Sequence, residues 1–146
     1  MINNFKKNFS ELKYLVTILK ILLSVHDLNK TYDGGISSFG LILLVISYLQ
    51  QDKNMKKEST EESETKMLLS DHLINFFKLY GYEFNYKKLG ISVRKEGFYY
   101  KREHKNFDNG IHPRASLSLE NPVNPDLNVA RSAHQFHKIQ KLFKEC

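Results

Sequence analysis

The chain has 146 residues, 41% of them hydrophobic and 26% charged, which suits one domain around one core. Its formal net charge of +6 points to a polyanionic partner, such as nucleic acid or nucleotide phosphates, or else to a solvated lysine-rich surface. One cysteine, Cys146, allows neither a disulfide framework nor a cysteine-built metal site and fits a reducing, intracellular setting. No run reaches the ~20 apolar residues of a membrane span: LILLVISYL (41–49) is too short and YLVTILKILLSV (14–25) is interrupted by Lys20. Lys6 and Lys7 precede that second run as in a signal peptide, but Lys20 inside it and the lack of a small-residue cleavage site argue against one.

Taken in order, Phe5, Phe9, Leu12, Val16 and Leu19 recur at spacings of three and four and predict helix over 5–27, with a break and restart at Ser10 and Glu11. Asp27 to Gly35 reads as a polar turn closed by two glycines. Ser37 or Ser38 is suited to cap the next helix, which runs to about Gln50 and, apolar on nearly every side, is expected to be buried all round. QQDKNMKKESTEESETK (50–66) has almost no apolar residue and predicts a flexible polar loop, 51–66 within a single domain of 1–146. MLLSDHLINFFKLYGY (67–82) predicts an amphipathic helix ended by Gly81. GISVRKEGFYYK (90–101) predicts two short strands about a turn at Lys95–Gly97. ASLSLE (115–120) alternates like a half-buried strand, and NPVNPD (121–126) is a proline-pinned loop. A helix with a basic face is expected from about Val129 to Phe143. The sum is a mainly α fold with a small antiparallel β-sheet, of α+β class.

The stretch YDGGISSFG (32–40) carries the first chemical signal. A helix N-terminus offers unpaired N–H groups and a partial positive charge, and serine hydroxyls add donors, so the segment suits an anion as well as simple capping. Glycine would let backbone approach a phosphate closely, yet no Gly-Lys-Ser/Thr follows, so this is not a P-loop. Lys20 lies within an apolar helix, where its ammonium must reach water or an anion. His134 and His137 have a one-turn spacing that can ligate metal but no third ligand nearby in sequence, so a basic surface shared with Lys138 and Lys141 is the expected role. Tyr99, Tyr100 and Lys101 could stack on RNA, with sheet packing expected for at least one tyrosine.

Three separated motifs then carry a resemblance. FKKNFSELKYLVTILKILLSVHDLNKTYDGGISSFGLILLVISYLQ resembles the start of the PAP-associated central domain of noncanonical poly(A) polymerases, the Trf-like group. LINFFKLYGYEFNYKKLGISV is similar to that family's Phe-Phe-x-Leu-Tyr-Gly-x-x-Phe-Asn-Tyr segment, and LSLENPVNPDLNVARS to its nucleotide-recognition loop. The resemblance implies a mostly helical domain forming one wall of a nucleotidyltransferase cleft that binds the incoming ATP. Lys20 matches a lysine that contacts the triphosphate, and Ser38 a serine that contacts phosphate. Phe39 stands where the family has a tyrosine stacked on the base. Asn128, in place of an aspartate, is expected at the base edge, and Arg131 on the matching arginine of the loop. Leu127 and Ala130 replace the family's asparagine and glycine, and related uridylyltransferases share Asn-Val-Gly-Arg, so ATP and UTP both remain open.

The family's Gly-Ser and Asp-x-Asp carboxylates, which hold two metal ions in a separate catalytic domain, have no counterpart here. The acids after GGISS are Asp52 and the cluster Glu61, Glu62 and Glu64. No catalytic or metal-binding residue is therefore assigned, and Mg2+ or Mn2+ would act only through that catalytic domain, in cis or in trans. The expected reading is part of a nuclear RNA 3′-end polymerase, a fragment, split half or truncated copy. Its expected partners are a nucleoside triphosphate, an RNA 3′ end, a zinc-knuckle RNA-binding protein and a helicase, with no membrane. A non-catalytic RNA- or protein-binding remnant is the alternative.

Overall fold

A computed structural model describes residues 2–58, 68–105 and 115–146. Two helices open the chain, α1 (Ile2–Asn8) and α2 (Leu12–Val25), with the break at the expected place. Leu12, Leu15, Val16, Leu19 and Leu23 form the buried face of α2 and pack along α3 (Ser38–Glu58). From Gly40 to Gln50 every residue of α3 but Ile42 is buried, so this helix is the centre of the core. Helix α4 (Leu69–Lys78) and a wider helical turn over Leu79–Glu83 pack against the last helix, α5 (Phe136–Glu145). A ring cluster joins them, with Phe76 edge-on to Phe143 at 5.3 Å and to Tyr80 at 4.9 Å.

The strands are β1 (Leu89–Ser92) and β2 (Phe98–Lys101), antiparallel, with Leu89 opposite Lys101 and Ser92 opposite Phe98. Their turn uses positive φ at Lys95 (57°) and Gly97 (83°). The hairpin's distal end rests on α3, where Gln50 Nε2 donates to Val93 O (3.0 Å) and Asn54 Nδ2 to Glu96 O (3.1 Å).

Four expectations need correction. Helix α3 does not stop at Gln50 but continues through 51–58; residues 59–67, Glu61, Glu62 and Glu64 among them, lie outside the described residues. The Asp52–Lys56 pair at i, i+4 (3.0 Å) and the bonds to the hairpin hold this polar extension, which an average over the whole segment conceals. Gly81 does not end a helix. It sits in the wide turn facing the backbone of Phe143 and Lys144, where a Cβ would crowd Lys144 N. Residues 115–120 are not half-buried, because Leu117, Ser118, Leu119 and Glu120 are all buried. This segment runs parallel beside β1, with Ile91 N–H donating to Ser118 O and Glu120 N–H to Ile91 O (both 2.9 Å). Finally, residues 129–135 form tight turns and α5 starts at Phe136; its outer face, with His137, Lys138, Lys141 and Lys144, is basic as expected.

Candidate nucleotide site

Lys20 and Ser38 lie 18 positions apart in the chain and line the same cavity, of about 380 Å³. Helix α2 supplies Lys20, Ile21, Ser24 and Val25; the connecting turn supplies Asn29, Ile36 and Ser37; α3 supplies Ser38 and Leu41. The site follows from the α2–α3 hairpin. Because α2 buries one face against α3, Lys20 is turned to the open side, beside the point where α3 begins. Ser37 is the capping residue: its Oγ accepts the Gly40 N–H (3.0 Å) and its carbonyl accepts Leu41 N–H (2.9 Å). The first-turn N–H groups of Ser38 and Phe39 have no carbonyl within the helix to reach, and they point with the positive end of the helix dipole. The Lys20 ammonium, the hydroxyls of Ser24, Ser37 and Ser38 and the start of α3 thus share one concave surface, a donor set that suits an oxyanion.

The glycines do different work from the one expected. Neither Gly34 nor Gly35 lines the cavity. Gly34 closes a 3-10 turn over Thr31–Asp33 with φ 86°, and its Cα abuts His134 and Gln135; Gln135 N–H donates to Gly34 O (2.9 Å). Gly35 faces the Leu28 carbonyl at a distance that excludes any Cβ, and its N–H donates to Lys30 O (2.8 Å). The pair shapes the turn that brings Ser37 into place and ties it to the segment before α5.

The structure brings Lys20 and Ser38 together but not the other three expected residues. Phe39 is half-buried and packs against the core. Arg131 is exposed on a turn after the 121–128 loop. Asn128 is half-buried, and its amide is largely engaged: Oδ1 accepts from Leu119 N–H (3.0 Å) and Ala130 N–H (2.9 Å), and Nδ2 donates to Leu117 O (3.0 Å). Three of its four hydrogen-bonding positions therefore serve backbone. Leu127 is instead an outward side chain of the loop, half exposed.

The loop is also anchored by Glu120, which sequence reading passed over. Its buried carboxylate accepts from Ser92 Oγ (2.9 Å), from the Arg94 guanidinium and from Lys105 Nζ. Burial alone would raise its carboxyl, but the hydrogen bonds from Arg94, Lys105 and Ser92 outweigh that and hold it below the usual carboxylate range. The signal available was an acid at an otherwise apolar alternation ending ASLSLE. For Ile21 and Val25 the missed signal was that α2 is apolar on its outer side too.

The tyrosines named for RNA stacking serve the sheet. Tyr99 packs edge-on to Phe84 (5.1 Å), and Tyr100 shares a 2.6 Å hydrogen bond with Ser118 Oγ; burial pushes both hydroxyls up to about 12. His134 and His137 are both exposed, and among the described residues no three His, Cys, Asp or Glu side chains converge as a metal site. No helix among the described residues is long and apolar enough to cross a membrane.

This architecture resembles part of the polymerase core seen in solved nucleotidyltransferase structures. The structure described as the polymerase core of TRAMP, a RNA surveillance complex, matches 99% of this chain and 44% of its own length with a TM-score of 0.83 and 25% identity. The Cid1 poly(U) polymerase bound to Mg and 3′-dATP matches 97% of this chain and 52% of its own, with a TM-score of 0.78 and 22% identity, a likeness of fold. Residues 68–127 match the family described as Cid1 family poly A polymerase. Over 143 residues the chain is 31% identical to poly(A) RNA polymerase cid14 of Schizosaccharomyces pombe, covering 98% of this chain and 20% of that protein. It is 37% identical over 136 residues to the inactive non-canonical poly(A) RNA polymerase protein Trf4-2 of Drosophila melanogaster, covering 92% of this chain and 32% of that protein. Homologues of the chain are thus Trf4/Cid14 noncanonical poly(A) polymerases, and the match to the family model falls on residues 68–127. It spans about a third or less of the length of these relatives.

Proposed function

We propose that this domain holds the incoming nucleoside triphosphate for RNA 3′-end nucleotidyl addition, with Lys20 and Ser38 on the phosphates. The observation that carries the reading is that these two residues, matched separately in sequence, line one cavity at a helix N-terminus. Lys20 neutralises phosphate charge without base preference, since its ammonium is a point charge. Ser38 and the first-turn N–H groups orient the phosphate oxygens. Phe39 follows Ser38 on the first turn, and the resemblance assigns its half-buried ring to the base. The resemblance assigns the 121–128 loop, held by Asn128 and Glu120, and Arg131 to the nucleotide. Asn128 has one amide hydrogen left for a base acceptor. Adenine and uracil both carry acceptors, so this hydrogen alone discriminates weakly.

Divalent metal supplies charge neutralisation at the transferring phosphate in such reactions. The described residues do not fit a metal, so no step here runs through one; the carboxylates belong to a separate catalytic domain. A role in nuclear RNA surveillance, with a zinc-knuckle protein and a helicase, follows the same reading. A second reading, a non-catalytic RNA-binding relative, is favoured by the likeness to a protein named as inactive.

The test joins this chain to a carboxylate-bearing catalytic domain of a homologous polymerase and measures 3′ addition. Lys20→Ala should lower kcat/KM about 10-fold or more, equally for ATP and UTP, the loss of one charge-assisted hydrogen bond. Unchanged addition, or a loss confined to one nucleotide, would remove Lys20 from the phosphates.

A further inference from the structure

A second cavity, of about 430 Å³, lies at the open end of the hairpin and is lined by Lys87, Lys88, Leu89, Lys101 and Glu103. Residues 87–105 contain seven basic and two acidic residues in a chain of net charge +6. Two of those cations, Arg94 and Lys105, are engaged by the buried Glu120. A third, Arg102, is buried, and its guanidinium donates to the carbonyls of Tyr86 (2.8 Å), Ala115 (2.6 Å) and Ser116 (3.3 Å). Arg102 is thus a brace for the turn that carries Lys87 and Lys88. That turn is fixed further by Arg102 N–H to Lys88 O (2.9 Å) and by Lys88 N–H to Asn85 Oδ1 (3.2 Å). Register places Lys101 directly opposite Leu89. Three ammonium groups are therefore mounted on braced backbone around one cleft, and none makes an ion pair among the described residues. The lining also holds one carboxylate, Glu103, which lies 3.6 Å from His104 Nε2.

We infer that Lys87, Lys88 and Lys101 form a sequence-independent site for the sugar–phosphate backbone of single-stranded RNA, separate from the triphosphate cavity. The choice of RNA over another polyanion rests on the RNA reading above; the cleft's chemistry adds the rest. Its lining has no aromatic ring on which a base could stack and one apolar residue, so it reads charge and not base identity. Lysines suit this task because a flexible point charge tolerates any phosphate orientation. The same poverty of apolar lining leaves an acidic peptide little to anchor its side chains.

The test measures binding of fluorescently labelled 15-nucleotide oligo(A) and oligo(U) to the whole chain by anisotropy across a salt series. Each phosphate contact to a single strand contributes about 0.7 to the slope of log K against log salt. Lys87→Gln, Lys88→Gln and Lys101→Gln together should flatten that slope by about 2 and weaken both RNAs about tenfold or more at 50 mM salt. Removing the same charge by Lys6→Gln, Lys7→Gln and Lys13→Gln, on exposed positions of α1 and α2, should leave the slope within about half a unit. Equal losses from the two triple variants would overturn the site in favour of diffuse charge. Displacement of RNA by a 15-residue polyglutamate at equal concentration would overturn it in favour of an acidic peptide. ATP binding read on the same proteins separates the two readings. Loss of ATP affinity in the hairpin variant would merge the sites and overturn the inference. An intact RNA slope in a chain that binds no ATP would instead leave the inference standing and sink the triphosphate reading.

Discussion

Asn128 shows how a residue picked out by motif can act through the backbone. The resemblance assigns it to a base edge, and the fold engages three of its four hydrogen-bonding positions with Leu117, Leu119 and Ala130. Asn128→Ala should leave two N–H groups unpaired and destabilise the domain by about 1–3 kcal/mol. ATP and UTP affinities should then fall together as the loop loosens. A thermal melt and paired titrations check this, and a selective loss of ATP would return Asn128 to the base edge. Gly34 gives a second case. Gly34→Ala must hold a Cβ at φ 86° against His134 and Gln135, so it should lower stability by about 1–3 kcal/mol, measured by urea unfolding. An Ala variant of native stability would show that this turn repacks freely. Lys20 and Ser37–Ser38 were legible because a charge in an apolar helix and serines ahead of one each have few physical explanations. Glu120 was not, since its partners Ser92, Arg94 and Lys105 come from other parts of the chain.

At the scale of elements, the hairpin, the 115–120 segment and the recognition loop form one unit stitched by Glu120. The carboxyl of this residue is held low in the folded chain, so folding favours its ionised form. The sign follows directly: the contribution is fully present above the ordinary carboxylate range near pH 4 and is lost as pH falls through the lower folded value. Wild-type stability should thus drop below about pH 4 more steeply than that of Glu120→Gln, which lacks this titration. The measurement is urea unfolding at stepped pH, and parallel curves would contradict the role given to Glu120. Helices α2 and α3 were legible from periodicity and near-continuous apolarity. The C-terminal half of α3 was not, because its support comes from Val93 and Glu96 some forty residues away. The start of α5 was placed early for a related reason: bonds donated to Asn128 and to Gly34 hold 128–135 in turns that local propensity does not favour.

For the whole molecule, the mainly helical fold with its small sheet was legible because core pattern and polar motifs agree along the length of the chain. The site was legible only by halves. Two residues converge on one cavity, while Phe39, Asn128 and Arg131 lie outside its lining. The central claim is that the α2–α3 cavity holds phosphate, and amide chemical shifts during titration of this chain with ATP, UTP and inorganic tripolyphosphate test it most directly. All three ligands should shift the Ser38 and Phe39 amides, and Lys20→Ala should suppress the shifts for all three alike. Shifts that appear with ATP but not with tripolyphosphate, or that leave Ser38 and Phe39 unmoved, would contradict it.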